Sequence, residues 1–327
     1  MKKLIFSVIA VAAVVCACSV RGERSSEFVR VENGQFVRGE DTLSFVGTNF
    51  WYGPLIASEG RGGNRERLHK ELDALKSIGV TNLRILVGSD GPEGVAYKVE
   101  PVLQLEPGVY NDTVLRGLDY LLAQMAERDM HAVLYFNNSW EWSGGYGQYL
   151  EWAGNGKALL PSVDGYENYV DHVSRFVKDE KAKELFYNHV RNIITRVNTV
   201  TGRPYTEDPA IFSWQICNEP RPFARDSVTK AAYAEWLCTS ASLIKSLDPN
   251  HMVSTGSEGL FGSESDMELF EKVHAHKDFD YLNIHIWPLV WRWVTKDTFA
   301  DSVCVATDMT EKYIMLHYPA AERLRKP

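Results

Sequence analysis

The chain has 327 residues, 45% of them hydrophobic, and a formal net charge of −8 with no basic run beyond its extreme termini. That length and composition fit one large α/β domain or two smaller ones. The acidic balance excludes nucleic acid as the main partner, because phosphate binding needs clustered Lys and Arg. From the amino terminus, Lys2-Lys3 and the apolar run Leu4 to Val15 form the n- and h-regions of an export signal. The run is short for a transmembrane helix. Val15-Cys16-Ala17-Cys18 resembles a bacterial lipobox with Cys18 as the lipid-bearing residue, so residues 1–18 read as a lipoprotein-type signal and 19–27 as a polar tether. A plain secretory signal and a short membrane anchor are the alternatives. The expected location is a membrane-anchored lipoprotein or a secreted protein, with contact to membrane through the lipid anchor only.

Next comes Asn33-Gly34 between two alternating segments, Phe28 to Val31 and Gln35 to Arg38, which signals a β-hairpin capping the bottom of a barrel. Ser44 to Asn49 reads as a strand. Asn64 to Ile78 is a helix with Asn64 as N-cap and Leu68, Leu72, Leu75 and Ile78 on one face. Val80 to Val87 is a strand, Asp112 to Asp129 a helix and His131 to Phe136 the third strand. A Gly- and Trp-rich loop leads to helical residues 166–200. Ile211 to Cys217 is the fourth strand, Thr229 to Leu247 a helix, Met252 to Thr255 the fifth strand and Asp266 to Val273 a short helix. Tyr281 to Ile286 is expected as the sixth strand and Asp297 to His317 as the last helix. This alternation implies a parallel sheet. With a long loop after nearly every strand, the best choice is a (β/α)8 TIM barrel over residues 28–327 with about six of its eight units present. An open doubly wound sheet is the runner-up.

Cys217, Cys238 and Cys304 make no disulfide framework, no Cys/His cluster has zinc-like spacing, and no phosphate loop or dinucleotide fingerprint occurs. No metal and no cofactor are therefore expected. Nine Trp and fifteen Tyr are many for this length. Aromatic faces stack on sugar rings, although filling a core is their commoner use. The strongest chemical signal is Asn218-Glu219-Pro220 at the end of the buried run Ile211 to Cys217. A carboxylate there, beside an amide donor, suits acid/base chemistry.

Taken in order, the strand-end motifs resemble glycoside hydrolase family 5, and within it the endo-β-1,4-mannanases. They are Gly47-Thr48-Asn49-Phe50-Trp51-Tyr52, Leu83-Arg84-Ile85, Asn137-Asn138-Ser139-Trp140 with Gly144-Gly145, Trp214 to Pro220, Thr255 to Gly259, and His285-Ile286-Trp287-Pro288. The resemblance implies Glu219 as acid/base, supported by Arg84, Asn218 and His285. It implies Trp51, Tyr52, Asn138, Trp140, Glu258 and Trp287 as substrate-binding residues, with Trp142 a further wall. One of Trp291 and Trp293 is expected to face the core. The implied activity is retaining cleavage of internal β-1,4-mannosidic bonds in mannan, glucomannan or galactomannan by a monomer. A non-catalytic mannan-binding protein and an endo-β-1,4-glucanase remain alternatives. Retention needs a second carboxylate about 5–5.5 Å from the first, which the family supplies on its seventh strand. Lys326-Pro327 resembles the opening of that strand, so the nucleophile is expected not to be present in this chain.

Overall fold

The structure, a computed structural model, describes residues 27–327. The expected signal segment with Cys18, and tether residues 19–26, lie outside the described residues. The hairpin comes first. Val29–Glu32 pairs antiparallel with Gln35–Arg38, and Asp41–Thr42 adds a third short strand. Asn33 (φ 52°) and Gly34 (φ 75°) both take positive φ, the backbone that a tight two-residue hairpin turn needs.

Five strands then build one parallel sheet: β1 (Val46–Asn49), β2 (Val80–Leu86), β3 (His131–Tyr135), β4 (Ile211–Gln215) and β5 (Met252–Ser254). Their order is β5-β4-β3-β2-β1, so each new strand is laid beside the previous one. Parallel neighbours need crossovers, and helices supply them. These are α1 (Arg65–Ser77), α2 (Asp112–Ala126), α3 (Glu180–Ile194) and α4 (Ser227–Leu247), with α5 (Met267–His274) and α6 (Phe299–Leu324) after β5. Helices α1 to α5 start on Asn64, Asn111, Asp179, Asp226 and Asp266, whose side chains accept free first-turn N–H groups.

Period-two alternation divides the strands. Leu83, Ile85, Leu134, Phe136 and Trp214 face the helices and join Leu68, Leu72, Leu118 and Leu237 in the main apolar core. A smaller core of Val29, Val133, Phe212, Met252 and Tyr281 lies on the inner side, with Val31 and Phe36 of the hairpin packed on it. Phe212 reaches this inner core because of a bulge. The β3–β4 register steps from Ala132–Ile211 to Val133–Ser213, leaving Phe212 as the extra residue. Phe212 and Trp214, two apart, therefore join opposite cores.

Two expectations are corrected. Tyr281 to Ile286 is not a strand, so the parallel sheet has five strands among the described residues rather than six. The segment does lie beside β5, where Asp280 N donates to Val253 O (2.9 Å). Beyond that point a side chain replaces the ladder. Asn283 Oδ1 accepts from Gly256 N (2.9 Å), and its Nδ2 donates to Ser257 O (2.8 Å). The last helix also runs on to Leu324, through Pro319. Contacts beyond the proline hold it: Ala320 is buried, Arg323 pairs with Glu271 (2.6 Å), and Lys326 Nζ donates to His274 O (2.6 Å) and His276 O (2.9 Å). At the other margin of the sheet, Val46 of β1 is 62% exposed.

The ends of β2 and β3 meet at Gly88, where a Cβ would stand 1.8 Å from Phe136 O. Gly88→Ala must push these strand ends apart, and a loss of about 1–3 kcal/mol, read from urea unfolding of the full chain, is expected.

Candidate active site

Beyond the regular strands, main-chain pairing continues by several residues. Cys217 N donates to Thr255 O (3.2 Å), Asn218 N to Asn137 O (2.8 Å), Ser139 N to Asn218 O (3.1 Å) and Glu219 N to Gly256 O (3.0 Å). The loops after β3, β4 and β5 therefore leave the sheet in fixed register. Glu219 sits in the left-handed region (φ 53°), unusual for a residue with a side chain, and Ser139 Oγ holds its carbonyl at 2.5 Å. Such backbone strain costs on the order of 1–3 kcal/mol and concentrates at functional sites.

Glu219 is only 8% exposed, and its carboxylate is gripped by three donors. Trp140 Nε1 donates to Oε2 (2.7 Å), Trp287 Nε1 to Oε1 (2.7 Å), and His285 Nδ1 lies 2.9 Å from Oε1. Burial by itself raises the pKa of this carboxyl. The hydrogen bond and charge of His285, then the indoles of Trp287 and Trp140, outweigh burial and hold it below the usual carboxylate range. Burial also lowers the pKa of His285 below its ordinary value, against the hydrogen bond it makes to Glu219. Glu219 thus stands as a carboxylate that accepts a hydrogen bond from the proton carried on His285 Nδ1. This departs from the raised pKa that a resting general acid needs.

Period two puts Arg84 on the inner face of β2. Its Nε donates to Gln215 Oε1 (2.7 Å) and its Nη1 to Asn218 Oδ1 (2.9 Å), and the guanidinium lies 4.1 Å above the Tyr135 ring. Arg84 therefore orients Asn218, whose Nδ2 donates to Asn138 Oδ1 (3.2 Å). Expected on the substrate, Asn138 is instead fully buried. Its Nδ2 donates to Ser143 Oγ (3.1 Å) and its Oδ1 accepts from Trp140 N (3.1 Å), so it places neighbours.

Trp51, Arg84, Trp140, Asn218, Glu219, Glu258 and Trp287 all border one cleft of about 770 Å³. Trp51 and Trp287 stay about 40% exposed there (39% and 40%), unlike core aromatics. Trp142 stands against Trp51 (5.8 Å between rings). Trp291 borders the cleft, while Trp293 packs on Trp291 and Tyr313. Tyr52 does not border it. Its hydroxyl donates to Glu71 (2.9 Å) and its ring packs on Phe50, because the chain turns into a short helix at Gly53. Glu258 is 2% exposed and paired with Arg221 Nε (2.5 Å). Arg221 and Tyr166 also border the cleft and were not foreseen. Arg221 follows Glu219 by two residues, which was signal enough to place it near the site; Tyr166 lay in a stretch read only as helix. Among the described residues no group of three or more His, Cys, Asp or Glu could hold a metal ion.

Over residues 26–327 the chain matches the family model of glycoside hydrolase family 5 β-mannosidase-like proteins. It is 32% identical over 278 residues to mannan endo-1,4-beta-mannosidase 4 of Oryza sativa subsp. japonica, covering 81% of this chain and 56% of that protein. It is 28% identical over 293 residues to mannan endo-1,4-beta-mannosidase 1 of Arabidopsis thaliana, covering 84% of this chain and 66% of that protein. The chain thus spans less than two thirds of the length of these relatives. A solved glycoside hydrolase family 5 mannosidase from Rhizomucor miehei superposes with a TM-score of 0.83 at 33% identity, covering 92% of this chain and 71% of that one. The α/β fold is accordingly of the TIM-barrel type.

His285→Ala removes the largest influence lowering the Glu219 pKa. The Glu219 titration, followed by carbon NMR of labelled glutamate, is expected to move upward, towards or beyond the ordinary value of about 4.3. An unmoved midpoint would show that the indoles alone hold the charge.

Proposed function

Because this chain belongs to the glycoside hydrolase family 5 β-mannosidase-like family, we propose that it acts on β-1,4-linked mannan, glucomannan or galactomannan, with Glu219 as its acid/base. The observation that carries the reading is the Glu219 carboxylate, buried beside Asn218 at the floor of a cleft walled by exposed tryptophans. A glycosidic oxygen leaves only if protonated as its bond breaks, so a buried carboxyl facing the cleft is the group required. Trp287 offers a face for the sugar ring while its indole N–H fixes Glu219. Asn218, set by Arg84 and Asn138, is placed to bind a hydroxyl next to the reacting carbon.

To act as an acid, Glu219 must hold a proton, and a second carboxylate nearby would raise its pKa. Among the described residues bordering the cleft the other carboxylate is Glu258, whose charge Arg221 balances. That observation favours a second reading, recognition of mannan without turnover. Export by residues 1–18, with a lipid on Cys18, is also part of the proposal; it rests on the sequence pattern of Lys2-Lys3, Leu4 to Val15 and the lipobox-like Val15-Cys16-Ala17-Cys18.

The deciding measurement pairs calorimetry of the full chain with mannohexaose and cellohexaose against release of reducing ends from galactomannan. Mannohexaose is expected to bind in preference to cellohexaose, and Trp287→Ala to weaken binding by about tenfold. If reducing ends appear, Glu219→Gln should lower the rate by about 10²–10⁴-fold. Binding without release would select the recognition reading, and preference for cellohexaose would overturn the mannan assignment. For the anchor, palmitate label is expected on the exported chain and absent from Cys18→Ser.

A further inference from the structure

A buried carboxyl outside the cleft is tied to Glu219 by an unbroken path of contacts. Asp90, in the loop after β2, is fully buried. Its Oδ1 accepts from Gln104 Nε2 (2.9 Å), while its Oδ2 has no hydrogen-bond partner. Its backbone N–H donates to Ser143 O (2.9 Å), and nearby Val99 N donates to Trp142 O (2.8 Å). The two loops touch so closely that a Cβ on Gly144 would stand 2.2 Å from Asp90 O. From Ser143 the path runs through Asn138 to Trp140 N, and the Trp140 indole ends on Glu219 Oε2.

We propose that Asp90 is a positioning residue for the cleft: its neutral carboxyl keeps the loop after β2 locked against residues 138–145, and loss of its proton releases that lock and lets Trp140 shift from Glu219. An ionised carboxylate in this spot has only neutral hydrogen-bond donors, Gln104 Nε2 and the Tyr149 hydroxyl, a costly arrangement in a buried site. The neutral acid needs fewer partners.

The groups facing Asp90 are few. Lys98 comes from its own loop and donates to Gln148 Oε1 (3.0 Å), with Glu151 acting on Lys98 in turn. Tyr149 comes from the helix Gly145–Ala153, and Tyr110 from the short strand Val109–Tyr110. Tyr110 is hydrogen-bonded to His189 of α3, which burial pushes down to about 4 and so keeps neutral. Burial drives the Asp90 pKa up to about 7, against opposing pulls from Gln104, Lys98 and Tyr149. The sign follows. This is an acid whose folded pKa exceeds its unfolded value of about 4. The stabilisation of its neutral form is complete below pH 4 and is lost as pH rises through about 7. The Trp140–Glu219 contact is thus held on the acid side of neutrality and loosened above it.

The test uses the full chain with ¹⁵N-labelled tryptophan. The Trp140 indole resonance is identified by its loss in Trp140→Phe and followed from pH 5 to 9. A transition with a midpoint near 7 is expected, absent in Asp90→Asn and moved to higher pH in Lys98→Met, which leaves Asp90 in place but removes the cation facing it. A Trp140 resonance that does not titrate in this range, or titrates identically in all three proteins, overturns the proposal. The Lys98→Met arm keeps the result decisive should Asp90→Asn fail to fold. Because the link to substrate rests on the mannan reading, mannohexaose binding is measured alongside. It is expected to weaken by about three- to tenfold from pH 6 to pH 8.5 in the parent chain and to stay level in Asp90→Asn, the cost of one disturbed hydrogen bond. Absence of sugar binding at every pH would count against the mannan reading, and the indole titration would still decide the role of Asp90.

Discussion

The site depends on main-chain hydrogen bonds that carry the parallel ladder past the regular ends of β3, β4 and β5. Asn218 N to Asn137 O and Glu219 N to Gly256 O hold residue 219 between two neighbouring strands. That grip is what allows a residue with a side chain to keep φ at 53° and present its carboxylate to the cleft. The same register sets Asn138 against Asn218 across the ladder, so their side chains orient each other and Arg84 completes the set. Helices enter this argument indirectly: by covering Leu83, Leu134 and Trp214 they fix which face of each strand points inward.

Electrostatics at Glu219 is a contest between burial and donors, and the donors win. Two indoles and one imidazole converge on a single carboxylate, so the resting state is an anion prepared to accept a proton or a hydroxyl hydrogen bond. Trp140 and Trp287 therefore serve twice, as cleft walls and as anchors of the charged group. Glu258, a second carboxylate bordering the cleft, is balanced by Arg221, and Arg221 in turn lies 5.3 Å from the Trp140 ring. The charged groups of the cleft are thus in direct contact with its aromatic walls.

Much of the architecture was legible in the sequence because its signals are local. Asn33-Gly34 requires a particular turn, Asn64 offers a cap, and Leu68 with Leu72 marks one helical face. Features governed by partners far along the chain were not legible. Tyr281 to Ile286 has the composition of a strand, yet Asn283 replaces its ladder with side-chain bonds to Gly256 and Ser257. Pro319 reads as a helix end, yet the salt bridge of Arg323 with Glu271 and the buried Ala320 carry α6 beyond it. Tyr52 sits one residue from Trp51 in the same motif, but a short helix starting at Gly53 turns it away to Glu71.

The sequence by itself determined the strand–helix alternation, the strand-end motifs and the identity of Glu219 as the central carboxylate, since each depends on residue type and short-range spacing. The tertiary structure alone decided the protonation and partners of that carboxylate. It also decided that Asn138 is buried and bonded to Ser143, that Arg221 takes the charge of Glu258, and that Asp90 is buried with one unpaired oxygen. These are properties of distance and burial between residues as far apart as 134 positions, as in the bond from Arg84 to Asn218. Local pattern fixes which side chains leave a strand and on which face. The packing of all the strands together fixes what each of them meets.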